Sequence, residues 1–113
     1  MTVREKLINI LEEKAPVYRQ GSFLSTEDYP EKFFTYWNPT NEEIFYDNTA
    51  VGCIRVFYVF FYTNNPDEIE TLVKEARKML FDARFAVTKE KDYKADEKTY
   101  SAVMFAATYR EDY

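Results

Sequence analysis

Apolar and polar positions change rhythm several times along this chain, and each change marks an element. Near the start, Val3, Leu7, Ile10 and Leu11 recur at three- and four-residue spacing, the stripe of an amphipathic helix, with the stem of Lys14 extending it. Thr2 and Glu5 flank the beginning of that stripe as a capping box, where a hydroxyl and a carboxylate each satisfy a first-turn amide. Pro16 ends the helix, because its nitrogen has no proton to donate to the preceding turn. From residue 51 to residue 62 the rhythm becomes one of twos, with large side chains on both faces. One set is Arg55, Phe57, Val59 and Phe61; the other is Ile54, Val56, Tyr58, Phe60 and Tyr62. Phenol groups favour a face that can meet water or a polar partner. Phe57, Val59 and Phe61 are therefore assigned to the core, and Val56, Tyr58 and Phe60 to an outer face. The alternative is that both faces are buried within the chain.

The remaining segments fall around that strand. Asn65, Pro66, Asp67 and Glu68 open a second helix, about 66–83, with an Asn cap, proline in the first turn and acids where the dipole favours them. Ile69, Leu72, Val73, Ala76, Leu80 and Ala83 lie on one of its faces, leaving Lys74, Arg77 and Lys78 outside. Residues 33–37, FFTYW, read as a strand, residues 38–43 as a loop, and residues 45–48 as a short aromatic-acidic segment in which Asp47 and Asn48 form an Asx turn into the next strand. Residues 17–23 suggest a short edge strand, 25–28 are turn material, and the Tyr29-Pro30 step is extended. Residues 84–88 form a short strand. The charged loop 89–98 then leads to a closing strand, 99–110, whose alternation sets Val103, Phe105 and Ala107 against Ala102, Met104, Ala106 and Thr108.

Strands grouped in hairpins, with only two helices, imply a single α+β domain spanning residues 1–113: an antiparallel or mixed sheet carrying both helices on one face. The second sheet face then holds Val56, Tyr58, Phe60, Ala102, Met104 and Ala106. That patch is too apolar to stay open, and self-association is the economical cover for it.

Composition narrows the chemistry. The chain has 113 residues with a net charge of −5, and its lysines and arginines are scattered, which argues against gripping a phosphate backbone. It has no histidine, so the commonest general base and the commonest metal ligand are both missing. Cys53 is the single cysteine, which excludes a disulfide framework and a thiolate metal cluster; inside the long strand it reads as a small buried hydrophobe. No apolar run is long enough to span a bilayer as a helix, and none resembles a signal peptide. The carboxylate pairs are explained by helix capping, loops and solvent-facing helix positions, and there is no phosphate-cradling glycine loop or nucleophile elbow. A non-enzymatic protein without cofactor or metal is expected.

Several segments occur in a recognisable order: the aromatic strand 33–37, residues 45–48 ahead of Ala50 and Val51, the strand reaching Tyr62, the helix opened by residues 65–68, residues 80–85 (LFDARF), and the closing strand. Taken together, from about residue 16 to residue 107, they resemble the tail-completion or tail-terminator proteins of long, non-contractile-tailed bacteriophages and of prophages in low-GC Gram-positive bacteria. The resemblance implies a structural role. Such proteins form a hexameric ring that caps the tail tube, stops its polymerisation and presents a docking surface to the head connector. It implies residence in the virion tail, and in the host cytoplasm during assembly. Ring contacts would fall on Val56, Tyr58, Phe60, Ala102 and Met104, with Tyr46, Asp47 and Asn48 as further contact candidates. The polar loops 38–43 and 89–98 would meet tube or connector. The outer face departs from the pattern in being unusually apolar at Val56 and Phe60. Two other readings compete: a small-ligand-binding or regulatory module of a mobile element, with the aromatic face as a pocket wall, and an acidic decoy, for which the surface lacks a phosphate-like array of carboxylates.

Overall fold

The computed structural model describes residues 2–19, 31–93 and 101–113. In chain order the elements are α1 (Val3–Glu12), β1 (Val17–Arg19), β2 (Lys32–Tyr46), β3 (Thr49–Thr63), a 3-10 turn at Pro66–Glu68 leading into α2 (Ile69–Asp82), β4 (Ala86–Val87), β5 (Lys91–Tyr93) and β6 (Ser101–Asp112). The described strands form one sheet in the order β1-β2-β3-β6-β4, with β5 also on β6. Every pairing among the described residues is antiparallel except that of β1 with β2, so the sheet is mixed and the fold is α+β.

Both helices pack on one face. Val3, Leu7 and Leu11 of α1 join Val73, Ala76 and Leu80 of α2 in a single core with Phe34, Phe57, Val59, Phe61, Val103, Phe105 and Ala107 from the sheet. The assignment of Phe57, Val59 and Phe61 to the core is what the structure shows. Burying each such side chain is worth about 1.5–3 kcal/mol relative to leaving it in water. Lys14 at the end of α1 bridges to Glu75 of α2 at 2.7 Å.

The helix ends follow from local chemistry. The Thr2 hydroxyl accepts from the Glu5 amide at 3.1 Å, and the Asn65 side chain accepts from the Asp67 amide at 3.2 Å. The C-terminus of α2 closes as a Schellman motif: the Phe85 amide reaches back to the Leu80 carbonyl, the Arg84 amide reaches Phe81, and Arg84 takes φ 75°. That turn drops Phe85 into the core as the next residue after the left-handed one.

Three expectations about the connections need correction. Residues 38–43 are strand, not loop, since β2 runs unbroken to Tyr46. Its irregularity is absorbed by a shift of register between Trp37 and Thr40, and the Asn38 side-chain amide donates to the Val56 carbonyl at 2.6 Å across it. Pro39, which has no N–H to donate, falls within that irregular stretch, between the paired residues Trp37 and Thr40. Asp47 and Asn48 form a two-residue hairpin turn in which both take positive φ, 49° and 65°, as a primed turn requires. The start of the charged segment 89–98 is also strand. Val87 faces Ala107 and Lys91 faces Met104, so four steps on one strand meet three on the other. β4 and β5 are therefore one bulged edge strand along β6. Of the other connections, β1 matches the start of the edge strand expected at 17–23; the rest of that strand, the turn at 25–28, the Tyr29-Pro30 step, residues 94–98 and the first residues of the closing strand lie outside the described residues.

Candidate functional site

Residues opposed across a sheet share a face, so the register defines the surface opposite the helices. Phe33 faces Tyr62, which faces Ala102; Thr35 faces Phe60, which faces Met104; Trp37 faces Tyr58, which faces Ala106; Val56 faces Thr108. Aromatic rings dominate one end. Phe33 stacks on Tyr62 at 4.9 Å between centroids, Tyr18 meets Phe33 edge-on at 6.1 Å, and Trp37 meets Tyr58 edge-on at 5.9 Å.

This face is not uniformly open. Phe60, 4 % exposed, and Ala102 are buried, together with Phe33 and Thr35. Phe60 and Ala102 were expected to be open contact points, and the structure instead covers them within the chain, so at this end both faces of the sheet are filled. The open part lies farther along the strands, where Val56, Tyr58, Met104 and Ala106 are half-buried and Trp37 is 52 % exposed. The Thr35 hydroxyl is buried at the covered end without a hydrogen-bond partner.

Tyr46, Asp47 and Asn48 stand apart from that patch. Tyr46 opposes Thr49 at the hairpin tip. That is seven residues from Val56 along β3, about 23 Å at the usual rise per residue. Here β2, β3 and the end of β6 project as an arm in which Gly52 and Cys53 are buried but most neighbours are not. The two 15-residue strands account for the molecule's 52 Å length. Phe45 is 61 % exposed, Tyr46 72 %, and Tyr113, whose amide donates to the Val51 carbonyl at 2.9 Å, also lies open. At the root of the arm, Arg55 pairs with Glu111 at 3.1 Å. The hydrogen bond to Glu111 pushes the Arg55 guanidinium pKa still higher, against some desolvation, so it stays cationic.

Trp37 and Phe45 were not singled out from the sequence as surface residues. Trp37 closes the aromatic strand 33–37, where nothing in the local pattern marks it as the exposed member. Phe45 needed the tight turn at Asp47 and Asn48 to be recognised, since that turn converts a short segment into a protruding hairpin.

Shallow hollows lie elsewhere on the surface. One of about 550 Å³ runs along residues 12–18, and another of about 380 Å³ is framed by Glu13, Lys32, Asp67 and Leu72. Neither is lined by Tyr58 or Phe60. Among the described residues no three His, Cys, Asp or Glu side chains group to hold a metal, and no helix is long and apolar enough to cross a membrane. The arrangement defines an α+β domain whose candidate site is a surface: a partly open aromatic sheet face and a protruding arm. Neither a family model nor a curated protein matches the chain.

Proposed function

We propose that this chain is a structural virion assembly protein that caps a phage tail tube as a ring, ends its polymerisation and offers the surface to which the head docks. The observation that carries the reading is the half-open apolar surface of Val56, Tyr58, Met104 and Trp37 on the sheet face opposite both helices. A second copy of the chain is the economical cover for such a patch, because each copy brings a complementary surface at no cost in solubility once the assembly closes. The exposed tip of the β2–β3 arm, with Phe45 and Tyr46, supplies a second contact suited to reaching a neighbour or the tube. The resemblance in strand order supplies the biological setting.

The test is to add the purified protein to tail tube protein during polymerisation and to follow tube length by electron microscopy. Capping predicts that elongation stops in proportion to added protein and that tube ends carry an extra disc. Tubes that lengthen at an unchanged rate, with bare ends, would overturn the reading.

A further inference from the structure

The two edges of the sheet differ in charge. Among the described residues, none pairs with the outer edge of β2 beyond Tyr36. That edge carries Glu42, Glu43 and Asp47, all exposed, with no lysine or arginine from residue 41 to residue 49. At the opposite edge, the bulged β4–β5 strand and the turn before it carry Arg84, Lys89 and Lys91, also exposed. Of the acids on that edge, Glu90 is held by Arg77 at 3.0 Å, and Asp92 stays open. None of the six charges named first forms an ion pair among the described residues.

We infer that copies of this chain join head to tail, the acidic β2 edge of one against the basic β4–β5 edge of the next. This deepens the ring reading above and rests on it. The partner is a second copy because the complementary charges lie on opposite edges of the same sheet. A contact between two different edges is heterologous and propagates in one direction, the geometry that a closed ring requires. A net charge of −5 repels copies that meet at random. Setting unpaired acids against unpaired bases therefore selects this docking over others and speeds encounter.

The test uses two full-length variants, one with Glu42→Lys and Glu43→Lys, the other with Lys89→Glu and Lys91→Glu. All four positions are exposed; circular dichroism and thermal melting establish that each variant folds. Light scattering then reports mass over a concentration series at low salt. Wild type is expected to assemble, with an affinity that falls as salt shortens the screening length. Each variant alone is expected to lose at least about tenfold in affinity, since like charges now face one another. Mixing the two should restore assembly with alternating subunits, because the reversed edges of one complement those of the other. Assembly that is unchanged in either variant, or a mixture no tighter than its parts, overturns the edge contact while leaving a ring built through the Trp37 and Tyr58 face standing. A wild type that stays monomeric at every concentration and at added tube ends overturns both.

Discussion

The same two strands behave differently at their two ends. From Lys32 to Trp37 on β2, and across from them on β3, nearly every side chain is buried or half-buried, with the helices on one side and an aromatic cluster on the other. From Asn41 to Tyr46, and back to Arg55, burial reaches only Gly52 and Cys53. The near end is held by packing. The far end is held by its hydrogen-bond ladder, its turn and pairs such as Arg55 with Glu111. A sheet can therefore extend well past the core that stabilises it, provided that its strands are long and its turn is tight. Its far end then belongs to the low-stability part of the molecule and is available for contact.

Substitutions ordered by effect sharpen that contrast. Phe61→Ala, at a fully buried site in the body, should cost about 3–5 kcal/mol in urea unfolding; a loss under about 1 kcal/mol would mean that the body is not held by packing. Gly52→Ala strikes the arm where it is tightest, because a Cβ there would stand 2.7 Å from the Glu111 carbonyl oxygen. It should cost about 1–3 kcal/mol, and hydrogen exchange should quicken in 49–55 and 108–112 well before it does in β3 near Phe61. Arg84→Gly removes a side chain from a left-handed position and should stabilise the protein by up to about 1 kcal/mol in thermal melting. A double-mutant cycle on Arg55 and Glu111, each about one-third exposed, should give a coupling of about 0.2–1 kcal/mol that shrinks with added salt. Smallest of all, Phe45→Ala at the tip should change stability by less than about 0.5 kcal/mol. If Phe45→Ala cost as much as Phe61→Ala, the contrast between the two ends would be broken.

The body was legible in the sequence because its signals are local and strong. The apolar stripe of α2, its Asn65 cap and the alternation of Phe57, Val59 and Phe61 each specify one outcome. The arm was not legible, for a physical reason: strands that bury little need not alternate. Residues 38–43 carry a proline and mostly polar side chains, so they read as loop; what makes them strand is the ladder to β3 and the Asn38 bond to Val56, both set by tertiary structure. Asp47 and Asn48 did carry a signal, since both residue types tolerate positive φ, but their pairing as a two-residue turn depends on strands on both sides. The same holds for Lys91 in β5, where charged residues pair only because β6 is long enough to receive them. For the candidate surface, alternation separated the two faces of β3 correctly, with Tyr58 half-open on the outer one. It could not tell that Phe60 is covered, because cover depends on what lies above the sheet.

We propose that the open part of the outer face, around Trp37 and Tyr58, is closed by other copies of the chain in a ring. The most direct measurement is solution mass by light scattering over a concentration series, for wild type and for a Trp37→Glu, Tyr58→Glu variant shown to be folded. A six-subunit species is expected for wild type and a folded monomer for the variant. A wild type that remains monomeric at high concentration and in the presence of tube ends, or a variant that assembles as wild type does, would contradict it.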